Sequence, residues 1–587
     1  MCAAYQRIVP LIRAARWLRT LVRLARRGAT ASPVEPARRR VVLLQIDGLS
    51  SARLERALAR GEMPHLRRWL SSGAARLRAI EAATAPSTPV FQAGLLYGDH
   101  ADVPGFGWFD RKLGRTVRMD LAEDVLAIER SILRRGHARG RARRPTLLDG
   151  GGVSYGTIWP AGAAQAFFNV TSPIQATLSS GRLDPRARRM VENVYDRLLS
   201  TWAGLAIAGR LAARFALELG VGVWDFARWC RRIRTTRFEW RFLYMRLVVS
   251  VIMRDVATQG AVVDVLRGVP VIYVDYLGYD EYAHRRGPDS EMALYNLRGI
   301  DSAIARVVRA TRAVPEYGYD VYVLSDHGQT ATTPFERVVG SDLHRFVLEH
   351  AFHGAAGDGS VESSAIRELV SVRETELWLR TLWRPLRPPL SLYVGWLKRR
   401  LQKSLSRAEQ LNALSGIEVV TGGSIAHLYF RGLRDATVER IAARWPGLVH
   451  ALARSPAIGL MVGRGRHGPV LYFRGRRYRL DDRRALERLE PFRRLGYDLL
   501  MGHLRQAVDG RRSGDLVVYG AFAEAGDIAF DFEFGSHGGI GPEELDQFVI
   551  HPARVDFPLA GAVTAEEFYR FFRERYVASA GPERDAA

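Results

Sequence analysis

Cysteine is nearly absent from this chain: Cys2 and Cys230 are the only two among 587 residues. Two cysteines give no disulfide framework and exclude a cysteine-rich zinc site. The sequence therefore favours a reducing compartment, and any metal site must be built from histidine and carboxylate side chains.

An uninterrupted apolar run is missing from the first 40 residues. Arginines break every apolar stretch there, so the ~7–15-residue apolar core of a secretory signal is absent. Apolar residues from Ile8 to Ala25 recur at helical spacing instead. They predict a basic amphipathic helix that lies either on an anionic membrane face or on the protein itself, followed by a linker.

The most apolar stretch, Ala203–Gly220, is long enough to suggest a transmembrane helix. Arg210, Arg214 and Glu218 interrupt it, and each would cost ~2.5–3.5 kcal/mol at the centre of a bilayer. We therefore expect a packed or interfacial helix. The Trp- and Arg-rich segment Trp224–Trp240 that follows suits a membrane interface or a lid helix.

Acidic residues are outnumbered. The chain has 86 Lys and Arg, almost all arginine, against 62 Asp and Glu, which gives a net charge of +24. Such a charge attracts nucleic acids, anionic membranes or phosphorylated substrates. The arginines are spread over the whole chain and no nucleic-acid-binding module accompanies them, so no specific nucleic-acid partner is expected.

What the chain does contain is a repeated design, in which a short apolar strand pattern is followed by acidic and imidazole side chains. Helical patterns at Ser51–Leu70 and Asp289–Ala313 follow two of these strands, which indicates an α/β fold. Functional groups collect at the carboxyl ends of parallel strands, so one shared cleft is expected. The three segments are Val41–Ile46 with Asp47, Val271–Tyr276 with a loop carrying Asp280 and His284, and Val321–Leu324 with Asp326 and His327. An N-cap role for Asp47 and a solvated loop for Asp280 and His284 are the plain alternatives.

Two further segments carry candidate site residues. Thr88 precedes Pro89, which suits a helix N-cap followed by the first turn. A hydroxyl there faces the positive end of the helix dipole and free backbone N–H groups, which favour an alkoxide and a bound phosphate; plain capping is the alternative. His537 lies in the Gly-rich turn Gly535–Pro542, where glycines permit close backbone approach, although an ordinary loop histidine is equally compatible.

Together these side chains supply three carboxylates, three imidazoles and one hydroxyl. Shared between two Zn²⁺ ions, they would give each metal three or four ligands and an open position. Two ions ~3.5–4 Å apart can clamp the attacking and leaving oxygens of a phosphoryl displacement, and one can activate a hydroxyl for attack. The seven residues are Asp47, Thr88, Asp280, His284, Asp326, His327 and His537.

The order and spacing of these motifs resemble those of the alkaline phosphatase superfamily, in particular of its type I phosphodiesterase/nucleotide pyrophosphatase branch. The resemblance covers residues 41–110, 270–330 and 515–552, while the Cys-x-Pro-x-Arg motif of the sulfatase branch is missing. The motifs are Ile46-Asp-Gly48, Pro86-Ser-Thr-Pro89, Asp280-x-x-x-His284-x-x-Gly287-Pro288, Ser325-Asp-His-Gly328 and Ser536-His-Gly-Gly539.

The resemblance implies an α/β fold: an alkaline-phosphatase-like core with a mostly parallel central sheet flanked by helices, plus a helical insertion and a small α+β cap. It implies one metal, expected to be zinc, held by Asp280, His284 and His537. It implies a second held by Asp47, Asp326, His327 and Thr88, with Thr88 forming a phosphothreonine intermediate that water hydrolyses.

One loop departs from the family pattern. Nucleotide pyrophosphatases of this branch carry an Asn after the nucleophile's helix, whereas the loop Val103–Asp110 has none and Phe106 takes its place. A lost hydrogen-bond donor can cost ~10²–10³ in rate. We therefore expect Phe106 to contact the substrate, and a lipid or lipid-linked phosphate diester becomes an alternative to a nucleotide.

The predicted organisation has six parts: a basic N-terminal segment and linker (1–40), core parts at 41–185, 266–345 and 506–587, a helical insertion (186–265) and a cap (346–505). The predicted activity is hydrolysis of phosphodiester or pyrophosphate bonds in a small phosphate ester. Transfer of a phosphoryl or head group to another acceptor, and a membrane-associated scaffold without turnover, are the alternatives. A cytoplasmic location with peripheral attachment to an anionic membrane is expected.

Overall fold

The fold is that of a computed structural model, which describes residues 39–138, 145–171, 202–233, 242, 245–246, 248–352, 416–522 and 526–577. The predictions for residues 1–38 and for the Arg-rich part of the cap at 353–415 lie outside the described residues. The strands of the described part are β1 (Arg40–Ile46), β2 (Ala75–Ala82), β3 (Gly107–Asp110), β4 (Arg115–Arg118), β5 (Val153–Tyr155), β6 (Gln165–Phe167), β7 (Val271–Tyr276), β8 (Tyr319–Leu324), β9 (Thr330–Pro334), β10 (Ile417–Gly422), β11 (Ile425–Phe430), β12 (Ile458–Gly465), β13 (Gly468–Phe473), β14 (Arg476–Arg479), β15 (Leu516–Gly520), β16 (Asp527–Ala529), β17 (Gly535–Ser536), β18 (Asp546–Pro552) and β19 (Gly561–Val563).

Helices surround these strands. A π-helix covers Val248–Val256 and a 3₁₀-helix covers Pro315–Tyr317. The α-helices of the described part are Ser51–Ala59, Pro64–Ser71, Thr88–Tyr97, Ala122–Ala138, Trp202–Ile233, Ala257–Arg267, Gly278–Arg286, Glu291–Ala313, Phe335–Val339, Leu343–Ala351, Val438–Arg444, Leu448–Arg454, Arg483–Leu486, Glu490–Leu495, Tyr497–Asp509, Pro542–Leu545 and Ala565–Tyr576.

The main sheet has eight strands in the order β19-β2-β18-β8-β1-β7-β5-β6. β1 pairs in parallel with both β7 and β8, and β18 runs antiparallel to β8 and β2. The sheet is therefore mostly parallel, with helices on both faces, and the predicted fold class is confirmed.

Strand β1 shows why the sheet is central. Its side chains from Val41 to Leu44 are all fully buried, and they alternate between two apolar cores. The helices Ala257–Arg267 and Glu291–Ala313 cover one face, while Thr88–Tyr97 and Ala565–Tyr576 cover the other. An apolar run without alternation is the pattern of a strand buried on both sides.

The strand register brings three carboxyl ends to one edge. Ile46 of β1 is level with Tyr276 of β7, and Gln45 is level with Leu324 of β8. The residues that follow β1, β7 and β8 therefore leave the sheet side by side, which is where the predicted site residues are concentrated.

A second, antiparallel sheet has the order β10-β11-β15-β12-β13-β14. Its central strand β15 falls within residues 506–587, which the sequence analysis assigned to the core, so the chain leaves this sheet later than the predicted boundary at 505. The physical reason is that β15 is buried on both faces, and an apolar run does not reveal which sheet it joins.

The predicted helical insertion also differs in part. Residues Trp202–Ile233 form one continuous helix, whereas Ala257–Arg267 belongs to the main core through Ala261, Val262 and Val265. In the part of the chain that the structure describes, no helix has the length and apolarity needed to cross a membrane.

Candidate active site

Thr88 lies at the start of the helix Thr88–Tyr97, on the face of the main sheet. The sequence placed it at the N-cap, but Ser87 is the cap residue and Thr88 is the first helical residue. The N–H groups of Val90 and Phe91 both donate to Ser87 O, at 2.9 and 3.0 Å. Because Pro89 has no N–H and these two are engaged, the helix offers its dipole rather than a row of free donors.

The Thr88 hydroxyl is buried between two candidate ligands. It donates to Asp47 Oδ1 at 3.4 Å and lies 3.2 Å from His327 Nε2. Asp47 directly follows β1, and Asp326 and His327 follow the neighbouring β8. The hydroxyl predicted to be the nucleophile is thus held at the shared strand edge.

Asp47, Asp326 and His327 form the first candidate metal group. His327 Nε2 lies 3.2 Å from Asp326 Oδ2 and 3.6 Å from Asp47 Oδ1. Gly48 N–H donates to Asp326 Oδ1 at 3.3 Å. One potential ligand atom from each residue lies within 4.8 Å of the others.

Asp280, His284 and His537 form the second group. The sequence placed Asp280 and His284 in a loop, which is wrong: both lie on the helix Gly278–Arg286, where a spacing of four residues puts them on one face. His284 Nε2 is 3.0 Å from Asp280 Oδ2, and His537 Nε2 is 3.7 Å from Asp280 Oδ1.

The two groups adjoin. The rings of His327 and His537 are stacked, with centroids 3.9 Å apart. Gly48, in the loop after β1, has a φ of +71°, and a Cβ at this position would lie 2.4 Å from Asp280 Oδ1. A side chain at residue 48 would therefore displace a ligand of the second group, so the glycine of the Ile-Asp-Gly motif serves close approach as well as the turn.

All three histidines present the same nitrogen to the cluster. Their Nδ1 atoms lie 2.9, 3.0 and 2.9 Å from the carbonyl oxygens of Gly535, Gly328 and Pro86, for His284, His327 and His537 respectively. A carbonyl oxygen only accepts, so Nδ1 carries a proton in each ring and Nε2 is the nitrogen that faces the cluster. Metal-binding histidines are oriented in this way.

The carboxylates are crowded and buried. Burial, followed by repulsion from Asp326, raises the pKa of Asp47 and of Asp275 well above the ordinary value. Burial and repulsion from Asp280 raise the pKa of Asp326 to about 7. The crowding would be relieved by a cation, and the oxygen and imidazole donors suit a hard or borderline divalent ion such as zinc.

Burial and neighbouring charges also shift the pKa values of Asp280 and of the imidazoles. Burial raises the pKa of Asp280, but attraction to His284 and His537 outweighs it and the pKa is lowered overall. Burial, together with His537, lowers the pKa of His327 well below its ordinary value. Burial lowers the pKa of His284, but attraction to Asp280 and Glu533 outweighs it and raises the pKa well above its ordinary value, so this imidazole would lose a proton on binding a cation. The residues fit two divalent cations, because Nε2 atoms and carboxylate oxygens converge in two adjacent groups.

Sequence reasoning missed two supporting carboxylates. Asp275 interrupts the apolar run of β7 and accepts a hydrogen bond from Gln92 Nε2 at 2.8 Å. Glu533 Oε2 lies 3.0 Å from His284 Nδ1. An acid inside an apolar strand was a readable signal for Asp275, whereas Glu533 becomes visible only when the chain has folded.

The second sheet supports His537. The N–H of Ser424, in the β10–β11 turn, donates to His537 O at 3.1 Å. The neighbouring Gly423 has a φ of +70°, and a Cβ there would lie 2.1 Å from the same oxygen. The cap region thus presses directly on the loop that carries the last candidate ligand.

Phe106 precedes β3, and its side chain is 41% exposed. Its carbonyl accepts from Met119 N–H at 3.0 Å, while Gly107 beside it packs near Val420 of β10. Its predicted contact with substrate stays a prediction.

Comparison with known proteins gives one family and a set of distant structures. The family described as type I phosphodiesterase/nucleotide pyrophosphatase matches residues 41–376. The chain is similar to phosphonoacetate hydrolase from Sinorhizobium meliloti 1021 in complex with phosphonoformate, at 14% identity and a TM-score of 0.44, covering 92% of this chain and 96% of that chain. It is similar to murine ectonucleotide pyrophosphatase/phosphodiesterase 5, at 11% identity and a TM-score of 0.41, covering 92% and 96%. No curated protein sequence matches this chain.

Proposed function

Since the chain belongs to the type I phosphodiesterase/nucleotide pyrophosphatase family and is a phosphoric ester hydrolase, we propose that it cleaves phosphodiester or pyrophosphate bonds through a phosphothreonine intermediate on Thr88. The observation that carries the proposal is the placement of the Thr88 hydroxyl. It is buried at a helix N-terminus, 3.4 Å from Asp47 Oδ1 and 3.2 Å from His327 Nε2. A proton acceptor and a positive helix end beside a hydroxyl both favour its alkoxide.

Two divalent metal ions, zinc in preference, complete the proposed site. Asp280, His284 and His537 would hold one, and Asp47, Asp326, His327 and the Thr88 oxygen would hold the other. Bound there, the ions would supply Lewis-acid stabilisation of the transferring phosphoryl group and would lower the pKa of the attacking hydroxyl.

The chemical role of Thr88 is a double displacement. Its Oγ1 attacks phosphorus and gives up its proton, while the bond from phosphorus to the leaving oxygen breaks. A water oxygen then attacks the phosphothreonine, Thr88 Oγ1 leaves and is reprotonated, and the phosphate product departs. Each step replaces one P–O bond by another.

The remaining residues position the reacting groups. The backbone carbonyls of Gly535, Gly328 and Pro86 fix the three imidazole tautomers, so each Nε2 stays aimed at the cluster. Phe106 is proposed to contact the leaving group, where an apolar side chain favours a lipid or lipid-linked ester over a nucleotide.

The test is hydrolysis of bis(p-nitrophenyl) phosphate and p-nitrophenyl phosphate by zinc-loaded protein, with Thr88→Ala and Thr88→Ser as the matched pair. We expect diester turnover to fall by about 10³-fold or more in Thr88→Ala, and the serine variant to retain part of it. A phosphorylated Thr88 peptide, trapped by acid quench and found by mass spectrometry, would support the intermediate directly.

Three outcomes would contradict the proposal in different ways. Full activity of Thr88→Ala would exclude this nucleophile. A preference for the monoester would assign the protein to the phosphatases. Alcoholysis products in excess of hydrolysis products, when an alcohol acceptor is present, would favour a transferase.

A further inference from the structure

Between residues 212 and 227, the helix Trp202–Ile233 exposes apolar side chains and buries acidic ones. Its acidic side chains in this stretch face inward, since Glu218 and Asp225 are 3% and 6% exposed, and the half-buried Arg214 contacts the buried Asp255. Every exposed residue there is apolar or glycine. We call this surface the outer face; it consists of Ala212, Ala213, Phe215, Ala216, Leu217, Leu219, Gly220, Val223, Trp224 and Ala227.

The exposure of the outer face is large. Val223 and Trp224 are 52% and 50% exposed, and Leu217, Phe215 and Leu219 are 46%, 43% and 38% exposed. A helix on the surface of a water-soluble protein normally buries its apolar stripe and exposes its charges. A contiguous apolar patch of this kind marks a surface that meets another apolar phase.

The buried acidic side chains of the helix lie beside arginines, which is what allows charged residues to lie on its inner side. Asp225 accepts from Arg246 at 3.0 Å and from Arg286 at 2.8 Å. Arg286 also stacks on Trp229 and Phe242, its Cζ 4.5 Å from each ring centroid. Because these ions anchor the helix to the body of the protein, its apolar side chains are free to face outward.

The charge around the outer face identifies the occupant. Exposed Arg228 and Arg231 follow it on the next turn. Arg228 pairs with the exposed Glu291 at 3.0 Å, and its guanidinium lies 5.4 Å over the ring of Trp224. An apolar face bordered by tryptophan and arginine is typical of a helix that lies in the interface of an anionic bilayer. A second copy of this chain is disfavoured, since each copy carries a net charge of +24 and the copies repel one another.

We propose that the outer face binds an anionic lipid surface, with the helix lying in the membrane plane. The same helix is joined to the candidate active site. The ring of Trp229 packs edge-on against Phe534 at 5.3 Å, and Phe534 N–H donates to His284 O at 2.8 Å. Lipid binding through this face therefore holds the active site close to the bilayer. The proposal does not depend on the nucleophile or the metals.

The test is co-sedimentation of the full chain with vesicles of phosphatidylcholine alone and of phosphatidylcholine with phosphatidylglycerol. One variant combines Leu217→Glu, Leu219→Glu and Val223→Glu. The matched control combines Leu113→Glu, Leu126→Glu and Val338→Glu, which are 50%, 41% and 46% exposed elsewhere on the protein. Both variants change the net charge by the same amount, so long-range electrostatics is held constant.

We expect wild type and the control to bind the anionic vesicles, and the outer-face variant to bind at least about tenfold less. Binding to phosphatidylcholine alone should be weaker for all three. Thermal unfolding of each protein checks that it is folded, and the single variant Val223→Glu serves if the triple variant is not.

Four results would overturn the proposal. The first is that anionic vesicles do not retain wild type at all. Equal losses in the two triple variants would assign binding to overall charge, and unchanged binding of the outer-face variant would assign it to another segment, such as residues 1–38. A shift from oligomer to monomer in the outer-face variant, by light scattering and without change in vesicle binding, would show that the face binds protein.

Discussion

Replacing Asp225 by Asn should weaken the attachment of the helix Trp202–Ile233 to the body of the protein. Among the residues that the structure describes, Asp225 is the carboxylate shared by Arg246 and Arg286. Arg286 donates to it from Nε at 3.0 Å and from Nη2 at 2.8 Å, and Arg246 donates from Nη1 at 3.0 Å. The side chains of the two arginines are 1% and 2% exposed, so water does not replace the lost charge.

The expected loss of stability depends on the interactions that the two arginines keep in the variant. Removing one partner of a buried ion pair typically costs about 3–5 kcal/mol, because the other charge stays buried without compensation. The amide oxygen of asparagine still accepts one hydrogen bond, and Glu218 lies 3.9 Å from Arg246. We therefore expect the free energy of unfolding to fall by about 3 kcal/mol, at the lower end of that range.

The assay is urea unfolding followed by circular dichroism, with Asp481→Asn as the control. Asp481 pairs with Arg479, but both side chains are about 60% exposed, so this variant should unfold like wild type. A second readout is activity, since Arg286 is two residues from His284 on the same helix. If Asp225→Asn and Asp481→Asn unfold at the same urea concentration, the buried network does not stabilise the fold as argued here.

Three further predictions concern the site and the pH dependence of stability. Glu533→Gln removes the charged partner of His284 Nδ1 and should weaken zinc affinity about 10–100-fold; the zinc dependence of activity measures it, and an unchanged dependence refutes the positioning role. Chelation of a metal present at 100 times its Kd should lower the free energy of unfolding by about 2.7 kcal/mol, an effect that Asp280→Asn should reduce, and identical melting with and without chelator would exclude metal binding. Burial lowers the pKa of His503 to about 4, so the histidine is neutral in the folded state while the unfolded chain takes up a proton below about 6.5; its contribution is present above that pH and is lost as the pH falls towards 4, by about 3 kcal/mol in total. His503→Gln should flatten this part of the pH–stability curve, and a variant curve parallel to wild type would contradict the assignment.

The proximity of the candidate site residues could be predicted from the sequence better than the elements that carry them. Asp47, Asp326 and His327 could be found because each follows an apolar run, and the parallel register of β1 and β8 converts that sequence pattern into proximity. Gly48 belonged to a predicted motif, but its contact with Asp280 depends on the third dimension.

The misjudged elements have local causes. Asp280 and His284 were placed in a loop because the sequence becomes polar after the strand and Gly287-Pro288 follows, yet Gly287 simply ends the helix with a φ of +93°. The intervening residues have no apolar periodicity, since the helix is short and lies at the end of a strand. Helix propensity and the spacing of four were the better guide.

Composition alone could not predict which side chains of the helix Trp202–Ile233 are exposed. Arg210, Arg214 and Glu218 look like breaks in an apolar segment, and the inference of a packed or interfacial helix was drawn from their cost in a bilayer. Only the contacts of Arg214 with Asp255 and of Asp225 with Arg246 show that charged side chains of this helix meet the body of the protein. Sequence periodicity gives the angle between faces but not which face the protein covers.

The order of the candidate ligands along the chain determines when the proposed site can be complete during synthesis. The ribosome releases Asp47, Asp280 and Asp326 long before the strands of the second sheet and the turn at Ser424 that supports the His537 loop. A nascent or truncated chain that lacks residues beyond 536 therefore contains the candidate carboxylates without the imidazole of His537. The proposed ligand set is therefore complete only after the second sheet has been synthesised, so chains truncated before His537 should be inactive however well the main sheet has formed.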